Sequence, residues 1–248
     1  MSTEGAEQSP WSRPGFIAAA VIVVALVVTA ILLAINGAGD DRVAADPGPT
    51  ISSTPPTEPN PDETVKPDDS VCGLQAPAGE GATTLAGGPE ATWAYQDTTA
   101  YPTSDIYGPG VTDAQGLRYC FQRSVEGALF AAANSLTQSI DPLTAASWRE
   151  YILVESPQRD EILAAPLPEP AGNTRITLSG FRVMEYTGET ARIDLAFRAS
   201  SDGQTFYVSA VYPFRWEEGD WRLDVSSAEE LERVAQIPDL AGYIRWGA

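Results

Sequence analysis

Few side chains in this sequence are capable of catalysis. The chain contains no histidine and only two cysteines, Cys72 and Cys120. Without histidine there is no Ser-His-Asp or Cys-His nucleophile pair, no histidine proton shuttle and no histidine-ligated metal. Two cysteines cannot form a four-cysteine zinc site or an iron–sulfur cluster. We therefore expect a protein that is not an enzyme and that uses no cofactor or metal ion.

Neighbouring carboxylates are the remaining candidates for acid–base chemistry. They occur at Asp160-Glu161, Glu217-Glu218 and Glu229-Glu230. A glycosidase needs two carboxylates at a set separation, whereas adjacent acids in a turn or on a helix usually face solvent. The sequence also has no Walker, nucleophile-elbow or dinucleotide-binding motif and no acidic calcium loop. We interpret the three pairs as surface residues.

The charge of the chain excludes nucleic acid as a partner. Fifteen Lys and Arg residues stand against 34 Asp and Glu residues, so the formal net charge is −19. Binding to DNA or RNA requires clustered positive charge that releases counterions from the phosphates. Residues 71–248 alone carry 24 acids against 12 arginines, so the excess of acid extends through most of the chain.

A continuous apolar stretch near the amino terminus predicts a transmembrane helix over residues 16–36. Residues 16–35 read FIAAAVIVVALVVTAILLAI, with Thr29 as the only polar side chain. At about 1.5 Å per residue this stretch spans about 30 Å, the thickness of the hydrocarbon core of a bilayer. A cleaved signal peptide is the alternative, but its hydrophobic region is usually about 7–15 residues long. We expect an uncleaved signal anchor that contacts membrane lipid.

The flanking segments indicate the orientation of this anchor and the domain boundaries. Residues 1–15 are predicted to be a cytoplasmic tail, because Arg13 and the terminal amine precede the helix. Residues 37–70 are predicted to be a disordered linker rich in proline and acid. We interpret the linker as a tether, with a Pro-rich docking motif or a glycosylated stalk as alternatives. Residues 71–248 are then one extracytoplasmic domain held at the cell membrane.

The two cysteines lie in this outer domain, 48 positions apart. In an oxidising compartment two cysteines most simply form one disulfide bond. A redox-active pair usually has C-x-x-C spacing, which is absent here, and free buried thiols are the other alternative. We predict a structural disulfide between Cys72 and Cys120, which supports placing the domain outside the membrane.

Capping residues predict three successive helices. Ser124 can cap a helix over residues 125–139, whose apolar residues share one face. Asp141-Pro142 and Ser156-Pro157 each supply a capping residue followed by a proline, which is typical of a helix start. We expect the second and third helices to end near residues 154 and 164.

Period-two alternation then predicts a four-stranded antiparallel meander. Its strands are expected within residues 174–186, 191–199, 205–216 and 221–225, and a phase change near Gly180 predicts a β-bulge. A capping box at Ser226 or Ser227 predicts a last helix near residues 228–236. The expected fold class is α+β. It comprises a single amino-terminal transmembrane helix, a disordered linker, three helices, a curved four-stranded antiparallel sheet and a carboxyl-terminal helix.

Five large aromatic residues lie on one face of the last predicted strands: Phe206, Tyr212, Phe214, Trp216 and Trp221. A curved sheet with such a face either fills its core with these rings or uses them to line an apolar pocket. We expect a filled core. An open pocket is the basis of the alternative function, a small-ligand or lipid-binding domain.

Helices followed by a curved, aromatic-faced meander resemble the cone-shaped nuclear-transport-factor-2-like (NTF2-like) superfamily. With one anchor and a Pro-rich spacer, the arrangement resembles assembly subunits of conjugation machines, of the VirB8 and TcpC type. The stretches VCGL, RYCFQRSVEGALFAAAN, DWRL and PDLAGYIRWG resemble an uncharacterised actinobacterial family that is often encoded beside mobile or conjugative elements. These resemblances cover residues 71–248. They imply a non-enzymatic membrane protein whose outer domain contacts protein partners in a cell-envelope assembly such as a conjugation apparatus.

Overall fold

The computed structural model describes residues 69–77, 81–167, 175–201, 204–226 and 234–248. The predicted cytoplasmic tail 1–15, the predicted transmembrane helix 16–36 and nearly all of the predicted linker 37–70 lie outside these ranges. No helix within the described ranges is long and apolar enough to cross a membrane.

The described elements are two short hairpins, three helices and one larger antiparallel sheet. The hairpins are β1 (Thr92–Gln96) with β2 (Thr99–Thr103), and β3 (Val111–Thr112) with β4 (Arg118–Tyr119). The helices are α1 (Val125–Ile140), α2 (Ala145–Ile152) and α3 (Pro157–Ala164). The sheet contains β5 (Arg175–Tyr186), β6 (Thr190–Ser201), β7 (Gln204–Glu217), β8 (Asp220–Leu223), β9 (Val234–Ile237) and β10 (Ile244–Arg245).

The predicted caps of the first and third helices are confirmed. Ser124 Oγ accepts a hydrogen bond from the Gly127 N–H at 3.0 Å, which satisfies one free donor at the start of α1. Ser156 Oγ accepts from the Arg159 N–H at 3.2 Å at the start of α3. In both cases the signal is local, because the cap and its partner are three residues apart.

The predicted start of the second helix at Pro142 is wrong. Asp141 Oδ1 accepts a hydrogen bond from the Leu143 N–H at 2.8 Å, which closes a turn, and α2 begins only at Ala145. Asp141 is also the acceptor for Gln96 Nε2 from the end of β1. An aspartate before a proline can begin a turn as readily as a helix. Here Asp141 closes a turn and also accepts a hydrogen bond from Gln96.

Strands β5, β6 and β7 form the body of the sheet, and the core lies between this sheet and α1. The strand order is β10-β5-β6-β7-β8, and β9 pairs with β7 beside β8. The inward residues of β6 are all at most 6 % exposed: Ala191, Ile193, Leu195, Phe197 and Ala199. The predicted bulge is confirmed, because the pairing of β5 with β6 shifts register between Leu178 and Gly180.

The predicted fold class is wrong. Strands outnumber helices ten to three among the described residues, so the domain is mostly β, and a six-stranded sheet replaces the four-stranded NTF2-like cone. The prediction of a last helix near 228–236 is wrong for its final residues, because Val234–Ile237 form β9. Residues 227–233 lie outside the described ranges. The reason is the unequal length of the strands. β8 pairs only with residues 214–217 of β7, which leaves residues 207–210 with free backbone groups that β9 satisfies.

The carboxyl-terminal segment covers both edges of the sheet. β9 pairs with β7 and β10 pairs with β5, so residues 238–243, the C-terminal crossing, run from one edge to the other. They cross the face opposite α1, where Tyr243 Oη donates to Asp194 Oδ2 at 2.8 Å. Asp194 is 1 % exposed and also accepts from Ser209 Oγ at 2.6 Å and from Arg182. A buried acid with filled acceptors thus fastens the crossing to the sheet.

After β10 the chain returns to the core through Trp246. Its ring contacts those of Trp93, Phe130 and Phe181, at centroid distances of 5.1, 5.4 and 5.8 Å. Its Nε1 donates to the Pro89 carbonyl oxygen at 3.0 Å. The end of the chain therefore joins the sheet, α1 and the first hairpin.

We expect Tyr243→Phe to lower the free energy of unfolding by about 1–3 kcal/mol, because it removes a hydroxyl that donates to a buried acid. Tyr95→Phe is the matched control, since Tyr95 is 65 % exposed; we expect it to change stability by less than about 0.5 kcal/mol. Urea unfolding of the full chain in detergent, followed by tryptophan fluorescence, measures both. Equal effects of the two variants would contradict the assigned role of the Tyr243 hydroxyl.

Candidate functional site

The predicted disulfide between Cys72 and Cys120 is present, with the two Cα atoms 6.0 Å apart. It joins the entry segment, residues 69–77, to the core beside the turn between β7 and β8. The Val71 N–H donates to the Gly219 carbonyl oxygen at 2.8 Å at the same place. The chain thus enters the domain next to this turn.

The carboxylate of Asp220, the first residue of β8, lies at the centre of the same region. Its side chain is 1 % exposed and accepts four hydrogen bonds. The Cys120 N–H donates to Oδ2 at 2.6 Å, and the Phe121 N–H donates to Oδ1 at 2.9 Å. The Trp221 N–H donates to Oδ1 at 2.9 Å, and Tyr151 Oη donates to Oδ2 at 2.8 Å. One carboxylate therefore joins β8, α2 and the backbone of Cys120 and Phe121, which we call the cysteine loop.

The protonation of this cluster follows from its burial. Burial raises the pKa of Asp220 above its ordinary value, and the N–H groups of Phe121 and Cys120 with the Tyr151 hydroxyl oppose that rise. Burial also raises the pKa of the Tyr151 phenol, with the Asp220 charge adding to the effect. The phenol thus remains a donor at neutral pH. The Asp220 carboxylate and the Tyr151 hydroxyl bond each other, and backbone N–H groups fill the other acceptor positions of the carboxylate. We call this structural cluster the Asp220 joint.

A surface cleft of about 220 Å³ lies beside this joint. The end of α2, the start of α3 and the β7–β8 turn form it together. Its lining residues are Glu150, Tyr151, Leu153, Glu155, Arg159, Glu217, Glu218 and Arg222. Four carboxylates thus face two guanidinium groups, and the cleft carries an excess of negative charge.

The arginines form the floor of the cleft and the glutamates form its rim. The Arg222 guanidinium lies 3.6 Å from the centroid of the Tyr151 ring and donates to the Tyr151 carbonyl oxygen. Arg159 Nη2 donates to the Glu150 carbonyl oxygen at 3.0 Å. The arginine side chains are 12 % and 18 % exposed, whereas Glu218 and Glu155 are 78 % and 82 % exposed. Each rim glutamate forms an ion pair with a floor arginine, Glu155 with Arg159 and Glu218 with Arg222, both at 3.4 Å. Such exposed ion pairs are worth only about 0–1 kcal/mol, so a partner's positive charge can replace them at little cost.

A second buried charge, Arg118, is also bonded within the domain. It is 5 % exposed, and burial lowers the pKa of its guanidinium. Its Nε donates to Asn134 Oδ1 at 2.8 Å and its Nη2 donates to Thr137 Oγ1 at 2.7 Å. The group lies 3.8 Å from the centroid of the Tyr101 ring. This arginine joins β4 to α1 and to β2, so it serves the packing of the fold.

The five aromatic residues singled out from the sequence divide between the core and its margin. Phe214 and Trp221 are fully buried. Trp216 and Tyr212 are half-buried, with Trp216 packed edge-on against Trp221 and Tyr212 stacked on Phe214. Phe206 is half-buried near the start of β7. None of the five lines the described cleft.

The three acidic pairs singled out from the sequence lie in different parts of the chain. Glu217 and Glu218 lie at the cleft, while Asp160 and Glu161 are exposed on α3. Glu229-Glu230 lies outside the described ranges. Within the described part of the chain, no three His, Cys, Asp or Glu side chains are grouped closely enough to hold a metal ion.

Sequence reasoning did not single out Asp220, Tyr151 or Arg222 as parts of one site. The partners of Asp220 lie 69, 99 and 100 positions away in the chain, so no local pattern connects them. Tyr151 of α2 and the two charged residues of β8, Asp220 and Arg222, become a unit only when those elements pack.

We expect Asp220→Asn to lower the free energy of unfolding by about 2–4 kcal/mol, because its amide would point a donor at groups that are themselves donors. Glu218→Gln is the matched control, since Glu218 is exposed on the adjacent turn. Urea unfolding of the full chain compares the two. If Asp220→Asn unfolds at the same urea concentration as the control, the carboxylate is not the joint described above.

Comparison with known proteins identifies a family. No curated protein and no solved structure matches the chain. Residues 50–245 match the family model described as a domain of unknown function, DUF8175, and this range begins within the predicted linker. Because the match spans most of the chain, the protein belongs to the DUF8175 family.

Proposed function

We propose that this chain is a non-enzymatic, single-pass membrane protein whose extracytoplasmic domain makes protein–protein contacts in a cell-envelope assembly. The observation that carries the proposal is the cleft between α2, α3 and the β7–β8 turn. Its rim presents exposed carboxylates above arginines that the domain itself already binds. Such a surface fits a basic segment of another protein, since complementary charge favours encounter and sets orientation.

Anchoring at the membrane rests on the sequence. The apolar stretch 16–35 has the length of a bilayer span, and the short segment before it carries Arg13. The disulfide supports an outer location, because such bonds persist in oxidising compartments. The domain would then face the envelope with its entry segment directed toward the membrane.

The hydrogen bonds of the buried charged residues favour a protein-contact role over catalysis. Asp220, Asp194 and Arg118 are each bonded to several groups of the same domain. A catalytic acid or base needs a partner in the substrate and a pKa near the working pH. These three groups are instead occupied by the fold, so they are not free to act on a substrate.

A conjugation apparatus is the assembly to test first. The stretches VCGL and PDLAGYIRWG resemble a family that is often encoded beside mobile or conjugative elements. Deletion of the gene from a conjugative donor would then reduce DNA transfer, and transfer would return with the intact chain. Undiminished transfer on deletion would direct the search to another envelope assembly.

We expect a photo-reactive residue at position 217 to cross-link a partner protein in living cells, whereas one at position 95 does not. Position 217 lies in the cleft, and Tyr95 is exposed outside it. Reversing the rim charges with Glu155→Lys and Glu218→Lys should reduce the adduct at least about tenfold, equivalent to about 1.4 kcal/mol. Equal labelling at both positions, with a monomer purified free of other proteins, would contradict the proposal.

The proposed orientation predicts the fate of two terminal tags. Protease added to intact protoplasts should remove a carboxyl-terminal tag and leave an amino-terminal tag intact, with both tags in the membrane fraction beforehand. A soluble protein, or a protected carboxyl-terminal tag, would contradict the anchor or its orientation.

A further inference from the structure

We propose that the Cys72–Cys120 disulfide is a reducible clasp: an external thiol exchanges with it at Cys72 Sγ and thereby frees the entry segment, residues 69–77, from the folded core. The reactant is a dithiol, either a small molecule or a redox protein with two cysteines. The inference goes beyond the proposed function, because it concerns how the domain is attached to the preceding chain.

The two cysteines differ in exposure. Cys72 is an exposed residue, whereas Cys120 is 0 % exposed. Gly110 packs against one side of Cys72 Sγ, so a thiolate must approach this sulfur from another side. Because thiol–disulfide exchange depends on which sulfur can be reached, we expect attack at Cys72.

The buried sulfur is arranged to leave. The Cys72 N–H donates to Cys120 Sγ at 3.1 Å, and Ser70 Oγ lies 3.1 Å from the same sulfur. Hydrogen-bond donors stabilise a thiolate. These two donors therefore offset part of the cost of forming a charge on the buried sulfur as the bond breaks.

Cys120 is held in place by contacts other than the disulfide. Its φ is +68°, in the left-handed region that a residue with a side chain rarely adopts. The Cys120 N–H donates to Asp220, and the Cys120 carbonyl oxygen accepts from the Gly110 N–H at 2.8 Å. Neither hydrogen bond involves the disulfide, so we expect the core to keep its shape around Cys120 when the bond opens.

Most of the entry segment is held less firmly. Ser70 is 0 % exposed, but five of residues 71–77 are exposed, and Val71 is 53 % exposed. Hydrogen bonds from Val71 to Gly219 and from Gln122 to Gln75 join it to the core. Further along the chain, Pro89 is bonded to the core residue Trp246. Opening the clasp would thus move the attachment point from residue 72 toward residue 89 and lengthen the tether.

The exchange proceeds in two steps. A thiolate of the dithiol attacks Cys72 Sγ, forms a mixed disulfide and breaks the bond to Cys120 Sγ, which leaves with the electron pair. The second thiolate of the reactant then attacks the reactant's first sulfur, which is bonded to Cys72 in the mixed disulfide, and Cys72 leaves as a thiolate. The reactant becomes a disulfide, two electrons pass to the protein, and each cysteine takes up one proton as a thiol.

Glutathione tests the direction of attack on the full chain in detergent. After brief exposure to reduced glutathione and quenching with iodoacetamide, peptide mapping should find glutathione on Cys72 at least about tenfold more often than on Cys120. Adducts mainly on Cys120, or exchange only at denaturing urea concentrations, would overturn the proposal.

A serine variant tests the role of the leaving sulfur. Ser70→Ala removes a donor from Cys120 Sγ and should slow glutathione exchange about threefold or more. Ser139→Ala is the control, because its hydroxyl bonds the Leu136 carbonyl oxygen within α1; its exchange rate should equal that of the unaltered chain. Faster exchange in Ser70→Ala would show that the hydroxyl only fastens the segment and would refute the prepared leaving site.

Hydrogen exchange tests whether the disulfide holds only the entry segment or stabilises the whole domain. In excess dithiothreitol, amides of residues 71–76 should exchange at least about tenfold faster, while amides of β5, β6 and β7 keep their protection. The Cys72→Ser variant, which cannot re-form the bond, should behave in the same way without reductant. Loss of protection throughout the sheet would overturn the proposal.

Discussion

The buried carboxylate of Asp220 sets the positions of three segments that are distant in the sequence. It accepts hydrogen bonds from the backbone of the cysteine loop, from the hydroxyl of Tyr151 on α2 and from the start of β8. A carboxylate is stable inside a protein only when its acceptors are filled, because removing it from water otherwise costs several kcal/mol. These donors must therefore stay together, which places the disulfide, the β7–β8 turn and the cleft beside one another.

A second buried acid does similar work on β6, in the middle of the sheet. Asp194 bonds Arg182 of β5, Ser209 of β7 and Tyr243 of the C-terminal crossing. The crossing connects β9 to β10, and these strands satisfy backbone groups at both sides of the sheet. Because unpaired strand edges promote pairing with other chains, this arrangement protects a protein whose sheet would otherwise be open.

The carboxylates described above are of two kinds. Asp194 and Asp220 are buried, accept from several donors and hold elements together. Glu155 and Glu218, at the rim of the cleft, are exposed and form only surface ion pairs. The proposed contact function uses the second kind, and the stability of the domain uses the first.

Local signals in the sequence were sufficient for the elements whose partners are nearby. The caps of α1 and α3, the inward face of β6 and the bulge near Gly180 follow from residues within one turn or one strand. The pairing of Cys72 with Cys120 followed from their number alone. The sheet order, β9 and β10 did not follow, because a strand of two to four residues has little pattern of its own and forms where an edge is free. The cleft and the Asp220 joint likewise required packing, since their members come from α2, α3 and β8 and meet through contacts up to 100 residues apart.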